Sequence, residues 1–342
     1  MKRVLLIYTG GTIGMMQEAE SGTLSPVDFA ELGQYIPELN QIEAEIDTVA
    51  FEKPLDSSNM DLSHWQNLAA IIEQNYHQYD GFVVLHGSDT MAFTAAALSF
   101  MLNGLSKAVV ITGSQLPIGR VRTDGKENVI TAIEIAAAYR GERAMVPEVC
   151  IYFEYQLYRG NRTFKYNAEQ FQAFRSPNYP VLAEAGVHIK YNENAIRQIR
   201  SESFFVDDRM DNRIAVLTLF PGISRHIVEA ALSVKDNKLV IVRTFGSGNA
   251  MSHSWFLDAL QQAHDNGLIL INLSQCRAGA VQQGRYATSR GLDKAGLISA
   301  GDMVLEAAIA KSMHLLGVGH SGENFKKLFQ ANLRGEITEW RQ

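Results

Sequence analysis

A threonine set among glycines marks the first polar stretch of the chain. Tyr8–Gly14 reads YTGGTIG, directly after the apolar run RVLLIY. Glycines placed so let a ligand approach the backbone closely. A dinucleotide-binding loop needs G-x-G-x-x-G with an acidic residue about 20 positions on, whereas Gly10, Gly11 and Gly14 give G-G-x-x-G. Thr12 then has two readings: a cap on a following helix, or a nucleophile in a loop whose N–H groups stabilise an oxyanion. A threonine hydroxyl attacks only when something removes its proton, so the second reading demands an activator elsewhere.

Three further segments carry candidates. In HGSDT, His86–Thr90, Ser88 and Asp89 either cap a helix or act chemically. In the second case Ser88 positions a water or proton, and Asp89 accepts from a substrate ammonium or orients a lysine. Lys165 lies in the polar stretch YRGNRTFKYN; alone it is a solvated charge. Against Asp89 in a partly buried site it would keep the Ser88 hydroxyl polarised, burial and carboxylate pulling its proton affinity in opposite directions. In LDSSNM, Asp56, Ser57, Ser58 and Asn59 form either a capped turn or a cradle for a carboxylate or ammonium.

Short apolar runs that alternate with helical patterns position these residues. RVLLIY, GFVVLH, AVVIT, EVCIYF, RIAVLTLF, KLVIVRTF and LILINL predict strands of a parallel α/β sheet. Nearly every one is followed by small polar residues, which places those loops on the carboxyl rim where open α/β sheets bind ligands. SDTMAFTAAALSFMLNG predicts a helix that starts at a cap pair and stops at its glycine, and GRVRTDGKENVITAIEIAAAYRGE predicts another. The charged stretch near 191–212 breaks the rhythm and is expected to link residues 1–190 to 213–342, although SFFV within it could pair as a strand.

Composition narrows the function classes. With 342 residues, 46% of them hydrophobic, the chain suits one large or two compact domains. Thirty-one basic residues against 37 acidic ones, interspersed, give a net charge of −6 and argue against nucleic acid as a partner. No apolar stretch approaches the ~20 residues of a membrane span, and the run after Met1 falls short of the roughly 7–15 residues of a signal core. Cys150 and Cys276 lie in or beside strand-like runs and imply no disulfide framework. A reducing cytoplasm is the expected setting. The nine histidines show no H-x-x-x-H pairing, so neither metal nor cofactor is expected.

Taken together and in order, YTGGTIG, DSSNMDLSHW, DGFVVLHGSDTMAFTAAALSFML, VVITGSQLP, RTDGKENV, YRGNRTFK, AFRSPNYPVLAEAG, GSGNA, LSQC, YATSRGL and NLRGE resemble the bacterial-type L-asparaginase family, in its cytoplasmic type I branch. The resemblance spans nearly the whole chain. It implies hydrolysis of L-asparagine to L-aspartate and ammonia through an acyl-threonine on Thr12, with Ser88, Asp89 and Lys165 as catalytic partners. Gly11, Asp56, Ser57, Ser58, Ser88, Asp89 and Ser114 would bind substrate. The fold implied is a larger N-terminal doubly wound sheet, flavodoxin-like or Rossmann-like, with a smaller C-terminal α/β domain, assembled as a homodimer or homotetramer.

Three departures from the family pattern carry expectations. Ser88 stands where threonine is usual, losing the methyl that stiffens the rotamer. No tyrosine occurs between Tyr8 and Tyr35, so Tyr286 in YATSRGL is expected to assist Thr12 instead. A second, regulatory asparagine site in some relatives uses positions matching Arg243 and Cys276, plus a threonine where this chain has Phe164. A bulky aromatic there fills such a pocket and removes a donor, so regulation by asparagine should be weak or absent. The rival readings are a nicotinamide dehydrogenase, a non-catalytic amino-acid sensor, and the asparaginase-like subunit of a glutamyl-tRNA amidotransferase. That subunit carries an extra domain before its GGTI loop, for which a loop beginning at Gly10 leaves no room. Preference between asparagine and glutamine stays open, one methylene being worth only about 1–3 kcal/mol.

Overall fold

Each continuous apolar run becomes a strand. The computed structural model describes every residue except 18–23, 27–35, 199–202, 284–286 and 340–342. By contact pattern the chain divides into two units, Met1–Asp208 and Arg209–Gln342.

In the first unit the strands are β1 (Lys2–Gly10), β2 (Ala44–Leu55), β3 (Gly81–Leu85), β4 (Val109–Thr112), β5 (Val149–Phe153), β6 (Gln156–Arg159), β7 (Ala183–Ala185) and β8 (Ile189–Tyr191). They form one sheet in the order β8-β7-β6-β5-β4-β3-β1-β2. Pairing from β2 through β1, β3 and β4 to β5 is parallel, and β6, β7 and β8 continue it antiparallel. The parallel part is thus the flavodoxin-like order 2-1-3-4-5, whose ligand crevice opens between β1 and β3.

Burial explains why these runs are continuous rather than alternating. Val4, Leu6 and Tyr8 of β1 and Val83 and Leu85 of β3 share a core with Val129, Ala132 and Ile133 of the helix α3 (Gly125–Ala137). The intervening Leu5, Ile7, Phe82 and Val84 are equally buried, as expected for parallel strands covered on both faces. Among the described residues two α-helices precede α3: α1 (Leu62–Asn75), capped by Asp61, and α2 (Met91–Met101).

Several details differ from the sequence-based expectations. β2 is not among the predicted strands, because it is a half-exposed edge strand rich in charge. α2 has Thr90 at its N-cap position with no side-chain cap bond, so Ser88 and Asp89 do not cap it. The helix also ends at Met101, where Leu102 turns extended, before the predicted glycine stop at Gly104. Thr12 caps no helix: Thr12–Gly14 is a single 3-10 turn followed by the short strand Met15–Gln17. The SFFV segment, by contrast, pairs as a strand as the sequence allowed: Phe205–Val206 runs antiparallel to Leu102–Asn103, and earlier in 191–212 Ala195 and Ile196 are buried in the first unit's core.

Among the described residues of the second unit, four parallel strands form a sheet in sequence order, β9 (Ile214–Thr218), β10 (Leu239–Thr244), β11 (Ile269–Ser274) and β12 (Ile298–Ser299). Val240, Val242 and Leu270 pack with Val228, Phe256 and Leu260 of two flanking helices. Leu239, Ile241 and Ile271 pack with Phe325 and Phe329 of a third.

Candidate active site

Three loops meet where the strand order reverses. They follow β1, β2 and β3, and glycines set how closely they approach. Gly10 and Gly11 have φ of 130° and 87°, a region open chiefly to glycine. A Cβ on Gly10 would fall 2.2 Å from the Leu55 carbonyl oxygen, and one on Gly11 would fall 2.5 Å from the Gly87 Cα. The Gly11 N–H donates to that Leu55 carbonyl at 2.9 Å. A Cβ on Gly87 would fall 2.6 Å from the Ser57 hydroxyl. Gly14 is needed for another reason: the Tyr8 phenol occupies the space of its missing side chain. The glycines of YTGGTIG therefore also make room for protein neighbours.

This packing brings Thr12, Ser57 and Ser88 to one rim. Thr12 is half-buried, and its hydroxyl has no hydrogen-bond partner among the described residues. Ser57 is buried, and its carbonyl accepts from the Thr90 hydroxyl at 2.7 Å. Asp56 is exposed and accepts from the Ser58 N–H at 2.9 Å. That bond holds its carboxyl below the usual range.

Lys165 arrives from the short strand Phe164–Lys165, paired with Phe174–Arg175. Its ammonium donates to Ser88 Oγ at 2.8 Å and to Asp89 Oδ1 at 2.7 Å. The lysine side chain is 18% exposed and that of Asp89 67%, so the charge pair has one partner in the protein and one in water. Ser88 accepts from an ammonium that has only hydrogens to offer, so its own hydrogen goes elsewhere. It points to Gln115 Oε1, 3.3 Å away.

Sequence reasoning missed Gln115 and its anchor. The backbone N–H groups of Gln115 and Leu116 donate to the Asp124 carboxylate at 2.9–3.1 Å. Burial raises the Asp124 pKa against those bonds. Gln115 Nε2 also donates to the Gln170 carbonyl at 3.0 Å, tying this loop to the one after Lys165. The signal was present in GSQLP and TDGKEN, as a polar side chain after β4 and an acid at the start of α3. Ser114, expected to bind substrate, spends its hydroxyl on the Leu116 carbonyl at 2.6 Å.

Tyr286 lies outside the described residues. Phe164 is buried, its ring 6.4 Å from that of Tyr166. In the second unit, Arg243 near the end of β10 and Cys276 just past β11 share that sheet's carboxyl rim. The Gln275 N–H donates to the Thr244 carbonyl at 2.8 Å, and the Cys276 N–H to Ser274 Oγ at 2.9 Å. Burial, with Arg277 nearby, lowers the Arg243 pKa; Cys276 is an exposed free thiol. Among the described residues no cluster of His, Cys, Asp and Glu could hold a metal ion, and no helix is long and apolar enough to cross a membrane.

An open flavodoxin-like sheet with hydroxyls, a lysine and a carboxylate at its switch point defines an α/β protein that binds and can chemically attack a small polar ligand. Comparison makes the class specific. The family pattern "Asparaginase, N-terminal" matches residues 3–197, and "Glutaminase/Asparaginase C-terminal domain" matches 213–329. L-asparaginase 1 of Escherichia coli strain K12 is 42% identical over 340 residues, covering 98% of both chains. The crystal structure of L-asparaginase I from Vibrio cholerae superposes with a TM-score of 0.90 at 40% identity, covering 99% of both. A more distant relative, a glutamyl-tRNA(Gln) amidotransferase subunit of Pyrococcus horikoshii, is 32% identical over 98% of this chain and 77% of its own. The chain belongs to the asparaginase family.

Proposed function

We propose that this chain is an L-asparagine amidohydrolase in which Thr12 is the nucleophile. The observation that carries the reading is the contact of Lys165 Nζ with both Ser88 Oγ and Asp89 Oδ1, on a loop packed against the one that bears Thr12. The Thr12 oxygen attacks the side-chain amide carbon, its proton is taken up, and the amide nitrogen leaves protonated as ammonia. Water then attacks the acyl-threonine ester, returning the hydrogen to Thr12 and releasing aspartate. Backbone N–H groups of the glycine loop stabilise the oxyanion in both steps. Lys165 keeps Ser88 polarised toward the water or proton in transit. Asp56, Ser57, Ser58 and Asp89 hold the amino and carboxylate ends of the substrate. Amide hydrolysis by this route needs water and no cofactor.

The test is direct: ammonia release from asparagine without tRNA, together with a burst equal to the enzyme concentration when acylation outruns deacylation. Activity that requires a tRNA would instead favour the amidotransferase reading, which the relative of 32% identity keeps in play. We assign the assistance of Thr12 to Tyr286, within a homodimer or homotetramer. Tyr286→Phe is then expected to slow the burst about 10²-fold, the scale of general-base assistance; a wild-type burst would remove it from the mechanism. The two free cysteines support a reducing, cytoplasmic setting.

Two further outcomes follow from the packing. In Gly87→Ala the added methyl must displace the Ser57 side chain, whose oxygen lies 2.6 Å from its position. KM for asparagine is expected to rise about tenfold, the effect of losing roughly 1.4 kcal/mol of binding, and steady-state kinetics measures it. Phe164 fills its surroundings with a ring that is 3% exposed. Rate curves against asparagine should therefore be hyperbolic, and a Hill coefficient well above one would contradict this.

A further inference from the structure

The site loop between β3 and α2 is held from beneath by a buried histidine that takes no part in the reaction proposed above. His86 is 0% exposed. Its Nδ1 lies 2.7 Å from the carbonyl oxygen of Gly87, and its Nε2 lies 2.9 Å from the Thr94 hydroxyl. The Trp65 indole Nε1 lies 2.9 Å from that same hydroxyl.

These contacts assign every hydrogen. A carbonyl only accepts, so Nδ1 carries the imidazole hydrogen. Burial pushes the imidazole pKa down to about 4, which keeps the ring neutral with a single hydrogen. Indole Nε1 only donates, so the Thr94 oxygen accepts from Trp65; with the ring neutral and its hydrogen on Nδ1, Nε2 is bare and accepts the Thr94 hydrogen. The chain Trp65 to Thr94 to His86 to Gly87 therefore runs in one direction with a neutral ring.

Its terminus is the peptide that joins Gly87 to Ser88. In a trans peptide the carbonyl and the next N–H point to opposite sides. With the Gly87 carbonyl drawn to His86, the Ser88 N–H faces away from the ring. Among the described residues that N–H donates to no protein group. It sits beside the lysine-bonded hydroxyl of the same residue, on the loop that abuts Gly11 and Ser57. An unspent backbone donor at such a place is available to a substrate's developing negative charge.

We propose that His86 is a positioning residue, acting through its neutral Nδ1–H form to fix the Gly87–Ser88 peptide so that the Ser88 N–H is presented to the reacting amide. The role rests on the asparagine-hydrolysing reading and deepens it. Trp65 and Thr94 belong to the device because they reserve Nε2 as an acceptor, leaving Nδ1 as the nitrogen that holds hydrogen.

The test compares two amide side chains. His86→Asn places a donor near Nδ1 and none at Nε2, whereas His86→Gln reaches the Nε2 position and leaves the Gly87 carbonyl unheld. His86→Asn should keep kcat for asparagine within about threefold, while His86→Gln should lose about 10²-fold, the lower range for losing one oxyanion donor. KM should move less than kcat in both. Thr94→Val, which frees Nε2 to take the hydrogen, should lose about tenfold. Nitrogen-15 spectra of the wild-type ring should report a neutral Nδ1–H tautomer from pH 6 to 8.

Equal losses in the Asn and Gln variants, tracking their loss of Tm, would overturn the positioning role and leave a merely structural one. An Nε2–H tautomer would overturn it without reference to activity, even if neither variant folds. If the wild type releases no ammonia from asparagine, the functional reading fails and the assigned role with it. A turning-over wild type whose variants do not separate sinks the role alone.

Discussion

Thr12→Ala is expected to lower kcat for asparagine on the order of 10⁵-fold, a barrier increase of about 7 kcal/mol, as loss of a covalent nucleophile does elsewhere. The fold should hardly notice. Thr12 sits in a 3-10 turn of three residues, and its hydroxyl bonds to nothing among the described residues. Its removal forfeits no cap and no network there, so stability should change by about 0.5 kcal/mol or less. That separation of activity from stability is what a group kept for chemistry shows. Thr12→Ser keeps the attacking oxygen and loses only the rotamer restriction of a branched side chain; it should retain about a tenth of the rate. Steady-state ammonia release measures both variants, and mass spectrometry of quenched enzyme should find the acyl adduct in the wild type and none in Thr12→Ala. Alanine activity above a few per cent of wild type would place the nucleophile elsewhere.

The sequence carried the strands that lie beside the site more clearly than those that close the sheet. β1, β3, β4 and β5 are buried on both faces, so each reads as an unbroken apolar run bounded by polar loops. β2 is an edge strand in which Glu45, Asp47, Glu52 and Lys53 are exposed. Its partner β1 ends more than 30 residues earlier in the chain, and nothing local to Ala44–Leu55 announces the pairing. The same limit applies to function. Thr12 and Ser88 were legible because each follows an apolar strand run and carries a hydroxyl, and Ser57 because it stands in the polar turn DSSN. Gln115, although a polar residue after a strand, does not stand out in the sequence, because its importance comes from an oxygen 3.3 Å from Ser88 and from hydrogen bonds of its backbone N–H to Asp124. Periodicity records which face of an element is buried; it does not record which loop crosses another. The glycines illustrate the point. Gly10, Gly11 and Gly14 read as an opening for a ligand, yet each meets a different part of the protein: Leu55, Gly87 and the ring of Tyr8.

Lys165→Met is the second large loss expected, about 10³-fold in kcat, or roughly 4 kcal/mol of barrier. Methionine keeps most of the volume of the stem and removes the ammonium, so the loss reports charge and hydrogen bonding rather than a cavity. Asp89 is 67% exposed and is left facing water rather than stranded in the interior. The cost in stability should stay near that of a partly exposed ion pair, about 1 kcal/mol or less. Arginine should not rescue the activity, because a planar guanidinium cannot reproduce a point donor 2.8 Å from Ser88 and 2.7 Å from Asp89. The decisive measurement is the pair of Lys165 with Ser88. Ser88→Ala removes the hydroxyl that the lysine polarises and should cost about 10²-fold, the scale of general acid–base assistance. If Lys165 works through Ser88, the double variant Ser88→Ala/Lys165→Met should be little worse than Lys165→Met alone, since groups acting as a unit are strongly non-additive. Losses that multiply to about 10⁵-fold would mean that the two act separately. The lysine would then have to act on the substrate or on Thr12 directly, and the contact between Nζ and Ser88 Oγ would hold the loop rather than carry the chemistry.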